Sequence, residues 1–118
     1  MLIIDIHAHM DFDEYKKDLD KVMEENKKAG VAAIINNGVS VESNRKVLEL
    51  AKKYDIIKPA LGIYPVHCID ISEQEFDKEL EFISKQNIIA VGEVGLDYLK
   101  GDDNPYGNKY PGPEKTCV

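Results

Sequence analysis

The residues best suited to chemistry lie in the first segment of the chain, Ile3 to His9. This segment predicts a short buried strand, and successive side chains of a strand point to opposite faces. Asp5, His7 and His9 would therefore project to one side, and the apolar residues between them to the other. Three polar groups in a row along one face predict a site at the end of this strand.

Two imidazoles separated by one residue can bind the same ion without bending the backbone. Neutral imidazole suits zinc and its neighbouring transition metals. Asp5 could accept the remaining N–H of a ligand histidine, which would fix its tautomer, or it could add a bond to the metal. The alternative is that His7 and His9 are polar residues at a strand end and that Asp5 is a turn acid. The apolar strand that leads into them favours the metal site.

The rest of the chain contains three more apolar segments separated by helical patterns. The four predicted strands lie near residues 3–9, 31–35, 56–61 and 88–91. Apolar residues between them recur at the three- and four-residue spacing of amphipathic helices. This alternation predicts right-handed crossovers and a parallel sheet in an α/β fold.

Helix boundaries can be predicted from capping residues. Asp11, with Glu14 three residues later, predicts the start of the first helix, and Gly30 predicts its end. Ser40 would cap the second helix, and a capping box formed by Ser72 and Glu75 would begin the third. The predicted buried stripes are Phe12, Tyr15, Leu19, Val22 and Met23 in the first helix, Val47, Leu48, Ala51 and Tyr54 in the second, and Phe76, Leu80 and Ile83 in the third.

The unusual polar residues fall where the predicted strands end. They are His7 and His9, Asn36 and Asn37 in a predicted Asn-Asn-Gly turn, His67, and Glu93. The carboxyl ends of parallel strands meet at one edge of the sheet, where the sites of such folds are built. The sequence therefore predicts one site at this edge.

Composition limits the possible partners. The net charge of −7 and the pI near 4.9 exclude a broad basic face that would hold nucleic acid through its phosphates. Divalent metals could still reverse the local field and allow contact with phosphates.

Two distant cysteines, Cys68 and Cys117, are too few for a disulfide scaffold or a thiolate zinc site, so a cytoplasmic location is the default. No apolar segment is long enough to span a membrane.

Three motifs in a fixed order resemble the TatD family of metal-dependent deoxyribonucleases. They are D-I-H-A-H at residues 5–9, G-I-Y-P-V-H at 62–67 and G-E-V-G-L-D-Y at 92–98, of which the last is the most specific. The resemblance implies a TIM (β/α)8 barrel that binds two divalent metal ions at its C-terminal mouth and hydrolyses DNA or another phosphodiester. It places metal ligation on His7 and His9 and a bridging, catalytic role on Glu93. Zn, Mg and Mn are not distinguished.

Other positions of the motifs carry weaker predictions. Tyr64 stands where the family commonly has His, and the resemblance implies a substrate or second-layer contact near it. His67 could contact a phosphate or orient a ligand, or lie on the surface. Asp97 and Tyr98 belong to the third motif, and hydrogen bonds that fix the loop are the expected role.

The resemblance covers residues 1–99, which correspond to four βα units and half of a barrel of roughly 250 residues. Family members supply two further histidines and an aspartate from later strands. Residues 100–118, rich in Gly and Pro, predict an irregular or disordered tail. Open sheet edges would favour self-association or pairing with a second half, so the chain is expected to be a truncated or split member with weak activity.

Two other functions remain open at this point. One is a non-catalytic remnant that binds a metal or a partner chain. The other is a metal-dependent phosphoesterase or amidohydrolase that acts on small molecules.

Overall fold

Four parallel strands form one sheet, in the order in which they occur along the chain. The structure is a computed structural model that describes residues 1–95. The strands are β1 (Ile3–Ala8), β2 (Val31–Asn37), β3 (Ile57–Leu61) and β4 (Ala90–Val91), and the helices are α1 (Leu19–Ala29), α2 (Val41–Lys53) and α3 (Glu73–Ser84). The predicted alternation of strands and helices in a parallel sheet is confirmed. Asp97, Tyr98 and the predicted tail at 100–118 lie outside the described residues.

Most of the predicted helix ends are confirmed. Gly30 ends α1 with a left-handed φ of 91°, and its N–H bonds to the carbonyls of Asn26 and Lys27. The Ser40 side chain accepts a hydrogen bond from the N–H of Ser43 at the start of α2. At the start of α3, Ser72 and Glu75 form the predicted reciprocal capping box. Local side-chain chemistry therefore sets these boundaries.

The predicted start of the first helix is wrong. Asp13–Tyr15 form only a short 3-10 turn, and α1 begins at Leu19. The carboxylate of Asp11 accepts hydrogen bonds from Asn36 Nδ2 at 2.9 Å and from Ser43 Oγ at 2.6 Å. Because these partners come from β2 and α2, Asp11 anchors a loop instead of capping a helix. The side chains that precede α1 in the predicted stripe, Phe12 and Tyr15, are consequently exposed.

Two predictions about the strands also need correction. β1 is not buried within the described part of the chain, because it forms an edge of the sheet and its side chains Ile4 and Ile6 are exposed. Asn36 and Asn37 do not form a turn, since they are the last residues of β2 and lie opposite Pro59 and Ala60 of β3.

The core lies between the sheet and the helices. One cluster of buried side chains contains Met23, Ile34 and Ile57, and a second contains Val47, Leu61 and Ile83. Burial of each such side chain stabilises the fold by about 1.5–3 kcal/mol. In α3, the predicted core residue Leu80 is exposed and its neighbour Glu79 is buried, because Glu79 has polar partners on α2. None of the helices within residues 1–95 is long and apolar enough to cross a membrane.

Candidate metal centre

The carboxyl ends of β1 and β4 bring three potential metal ligands together. His7 and His9 come from the end of β1, and Glu93 lies two residues beyond β4. Nε2 of His7 is 3.2 Å from Nε2 of His9 and 3.1 Å from Oε1 of Glu93, and the third side of the triangle, from His9 Nε2 to Glu93 Oε1, is 3.8 Å. The strands thus place groups that are far apart in sequence within 4.8 Å of one another.

These distances fit a shared cation. Zinc lies about 2.0–2.2 Å from imidazole nitrogen and carboxylate oxygen, so neighbouring ligands of a tetrahedral site are separated by about 3.4 Å. The three separations of 3.1, 3.2 and 3.8 Å lie around this value. Furthermore, Oε1 of Glu93 is buried and has no hydrogen-bond partner among residues 1–95. A buried carboxylate oxygen of this kind is stabilised by a positive ion.

The ring of His9 is oriented from two sides. Its Nδ1 lies 2.8 Å from the carbonyl oxygen of Asn37, which can only accept a hydrogen bond, so Nδ1 carries the proton. This tautomer leaves the lone pair on Nε2, the nitrogen that faces His7 and Glu93. The ring of Phe12 stacks on the imidazole with a centroid distance of 4.8 Å and an interplanar angle of 11°. The two contacts hold Nε2 in position to bind.

Asp5 contacts the backbone near the site. One of its carboxylate oxygens, Oδ1, accepts a hydrogen bond of 3.0 Å from the N–H of His7, and the side chain is exposed. Asn37, not Asp5, provides the acceptor for the outer nitrogen of His9. The observed contact of Asp5 therefore fixes the backbone of His7.

Glu93 has a backbone conformation that a residue with a side chain adopts only when its surroundings impose it. Its φ is 59°, in the left-handed region, which costs about 1–2 kcal/mol for a non-glycine residue. The preceding residue, Gly92, is packed so closely that a Cβ atom there would lie 2.6 Å from Oδ1 of Asn37. A Cβ atom on Gly62 would lie 1.9 Å from the carbonyl oxygen of Gly92. Close packing of β3 and β4 thus sets the direction of the Glu93 side chain.

The loop after β3 contributes residues to a cavity beside the three ligands. The cavity has a volume of about 180 Å³, and Tyr64 and His67 line it together with His9, Glu93, Phe12 and Val39. Tyr64 and His67 make an edge-to-face contact at 5.4 Å, and Nδ1 of His67 lies 3.1 Å from the carbonyl of Val39. Both residues thus line the space beside the three potential ligands.

Two networks of polar side chains near the site were not predicted from the sequence. The first joins Asp11 to Asn36 and Ser43 and anchors the loop after β1. The second joins Asn44 and Arg45 of α2 to Glu79 of α3. A signal for the second was present, because Glu79 stands at helical spacing between Phe76 and Ile83, within an otherwise apolar stripe.

Comparison with known proteins gives a consistent family match. The model of the family described as TatD related DNase matches residues 4–110. The chain is 33% identical over 97 residues to the uncharacterized metal-dependent hydrolase YabD of Bacillus subtilis, covering 82% of the chain and 38% of that protein. It is 31% identical over 105 residues to human deoxyribonuclease TATDN3, covering 81% of the chain and 38% of that protein.

A solved structure agrees with the fold. The crystal structure of YjjV, a TatD homologue from Escherichia coli, superposes with a TM-score of 0.72 at 32% identity, covering 86% of this chain and 39% of that one. The four strands with their helices therefore form a curled half of a TIM barrel. The chain spans about two fifths of the length of the relatives that it matches.

Proposed function

Since the chain belongs to the TatD related DNase family, we propose that it carries the first part of the active site of a metal-dependent hydrolase that cleaves DNA phosphodiester bonds. The observation that carries this proposal is the convergence of His7 Nε2, His9 Nε2 and Glu93 Oε1 at 3.1–3.8 Å. One of the named relatives, human deoxyribonuclease TATDN3, supports the nuclease activity by its name.

The three ligands have separate roles in this proposal. His7 and His9 bind one divalent ion through Nε2, with the tautomer of His9 held by the carbonyl of Asn37. Glu93 offers a second carboxylate oxygen, so it can bridge to a second ion in a complete site. Zn, Mg and Mn all remain candidates. When bound, such a metal pair would supply a nucleophilic water near neutral pH and would stabilise the negative charge on the phosphate.

The residues around the ligands would position the substrate. Tyr64 and His67 line the cavity beside Glu93, so we assign them contacts with the phosphate or with the leaving nucleotide. Asp5 fixes the backbone of His7. Asp97 lies beyond the described residues, and hydrogen bonds that fix the loop stay its predicted role.

The activity of residues 1–118 alone is expected to be weak. The chain spans 38% of the length of YabD and of TATDN3, and ligands from the remaining half of a barrel would complete the metal pair. A second chain or a longer protein could supply that half. We propose the cytoplasm as the location, because two distant cysteines do not make a disulfide framework.

One observation favours a second candidate function, a non-catalytic metal-binding domain that pairs with a partner chain. Large apolar side chains are exposed at both edges of the described sheet, among them Ile4 and Ile6 on β1 and Ile89 and Val91 at β4. Exposed apolar edges of this kind are found at protein interfaces. This function predicts association without hydrolysis at any metal concentration.

The test is a nuclease assay of the purified chain with a 3'-labelled single-stranded oligonucleotide in Mn²⁺, Mg²⁺ or Zn²⁺. Hydrolysis that requires the ion and is abolished in Glu93→Gln would support the nuclease. Metal binding without hydrolysis would favour the second candidate. Cleavage of small phosphoesters or amides but not of DNA would place the chain among the metal hydrolases of small molecules.

A further inference from the structure

A buried polar network on the helix side of the sheet lies directly behind the loop that precedes Glu93. Glu79 of α3 is 2% exposed and Asn44 of α2 is fully buried. Buried carboxylates are rare unless they are fully paired. Glu79 is paired twice over, because Arg45 donates to both of its oxygens, at 2.8 and 2.7 Å, and Asn44 Nδ2 donates to Oε1 at 2.8 Å.

Glu79 and Gly62 together hold the Asn44 amide in one orientation, because its nitrogen donates to the Glu79 carboxylate and its oxygen accepts from the Gly62 N–H. A carboxylate only accepts hydrogen bonds, so the amide nitrogen of Asn44 must face it. The amide oxygen then faces Gly62, whose N–H donates to it at 3.1 Å, and Nδ2 also donates to the Gly62 carbonyl at 3.0 Å. Both backbone polar groups of Gly62 are therefore bonded to one oriented side chain.

Gly62 connects this network to the metal centre, because it contacts the residue that precedes Glu93. It follows β3 and lies against the carbonyl oxygen of Gly92, so closely that a Cβ atom would approach to 1.9 Å. Gly92 precedes Glu93, whose left-handed φ of 59° depends on its surroundings. Each residue thus contacts or adjoins the next in the series Glu79, Asn44, Gly62, Gly92 and Glu93.

We propose that Asn44 and Glu79 are positioning residues, which hold the Glu93 carboxylate against the two imidazoles by fixing Gly62. This inference rests on the proposed function for the metal and adds two residues that do not touch the ion. Outer residues that orient metal ligands typically change metal affinity 10- to 100-fold when they are replaced. The network reaches Glu93 through the backbone, so we expect the lower end of this range, about tenfold.

The first test compares Zn²⁺ affinity, measured by calorimetry, in the wild type, Glu79→Gln and Tyr54→Phe. Glu79→Gln keeps the shape of the side chain but removes the charged acceptor that holds Asn44 and Arg45. Tyr54→Phe is a matched control. Tyr54 is a buried residue that precedes β3, and its hydroxyl donates a hydrogen bond to the Asp20 carboxylate, which the substitution removes. We expect Glu79→Gln to lower the affinity about tenfold and Tyr54→Phe to leave it unchanged.

The second test uses the metal-free protein, so that it does not depend on metal binding. The ring nitrogens of His7 and His9 and the amide of Glu93 are followed by heteronuclear NMR. We expect these resonances to shift in Glu79→Gln and to stay in place in Tyr54→Phe. A merely structural role in α3 would not move them selectively.

A double variant, Arg45→Met with Glu79→Met, covers the case in which Glu79→Gln fails to fold. Glu79 is buried and the Arg45 side chain is 40% exposed, so replacing both leaves no unpaired buried charge, yet it removes the acceptor that holds Asn44. It should show the same loss of affinity. Wild-type affinity in a folded variant would overturn the inference. If the wild type itself binds no Zn²⁺, the proposed function fails, and unshifted His7, His9 and Glu93 resonances would then overturn the inference separately.

Discussion

Replacement of Gly62 by alanine should separate the metal ligands without touching any of them. The added Cβ atom would lie 1.9 Å from the Gly92 carbonyl oxygen, whereas ordinary contact begins at 3.4 Å. The backbone after β4 must therefore retreat by up to the difference of about 1.5 Å. Metal–ligand distances tolerate only about 0.2 Å. Glu93 would leave the ion, so Zn²⁺ affinity should fall at least tenfold, the smaller of the losses found when ligand orientation alone is disturbed.

The same substitution should reduce stability, because overpacking costs about 1–3 kcal/mol. Calorimetry would measure Zn²⁺ binding, and urea unfolding would measure the stability of the metal-free protein. Gly95→Ala is the matched control, because no atom of the described residues 1–95 lies within 4 Å of its added Cβ. It should keep wild-type affinity and stability. A folded Gly62→Ala protein that binds Zn²⁺ as tightly as Gly95→Ala would refute the reasoning that β3 places Glu93.

Three further outcomes are expected. Zn²⁺ at 100 times its dissociation constant should raise the free energy of unfolding of the wild type by about 2.7 kcal/mol, and a chelator should reverse this gain. His7→Ala should show no such gain. Equal gains in the wild type and His7→Ala would argue against a site at β1. Hydrogen bonds from Lys53, and to a smaller extent from Tyr54, hold the pKa of Asp20 in the folded protein below its usual value of 3.8. The contribution of Asp20 to stability should therefore be present above pH 3.8 and be lost as the pH falls through the lowered pKa of the folded protein. An unshifted pKa of Asp20 in an NMR titration, or a pKa that Lys53→Met does not raise, would contradict this. Ser72→Ala should destabilise the fold by about 1 kcal/mol in urea unfolding, because the N-terminus of α3 loses its cap, and a change near zero would show that the capping box is not needed.

The parts of the fold that the sequence predicted are those determined by local chemistry. Gly30, Ser40 and Ser72 end or begin helices through contacts within four residues, and all three are confirmed. The rule that polar residues gather at the carboxyl ends of parallel strands brought His7, His9 and Glu93 into one prediction. The structure places these three groups together, and the metal that they would bind stays a proposal.

The wrong predictions concern positions where side-chain contacts join residues that are distant in sequence. Asp11 has the pattern of a helix cap, but Asn36 and Ser43 bind its carboxylate, so no helix starts there. Leu80 fits an apolar stripe, yet the neighbouring Glu79 is buried instead, because Arg45 compensates its charge and Asn44 donates a hydrogen bond to it. Such pairings depend on how the helices pack and cannot be read from spacing alone.

The exposed surface of β1 has a similar origin. Alternation predicted two faces for this strand, but burial of Ile4 and Ile6 requires a neighbour on the far side of the strand. Within residues 1–95, β1 pairs only with β2, and the two isoleucines stay exposed. The pattern of a strand thus predicts which side chains share a face, while the number of neighbouring elements decides whether that face is covered.

X-ray absorption spectroscopy of the Zn²⁺-loaded protein tests most directly whether the end of β1 and Glu93 hold one cation. Scattering from two imidazoles with oxygen ligands is expected in the wild type, from one imidazole in His9→Ala, and from two imidazoles with one fewer protein oxygen in Glu93→Ala. Zinc that shows no imidazole scattering, or a spectrum that neither variant alters, would contradict a shared ion at this site.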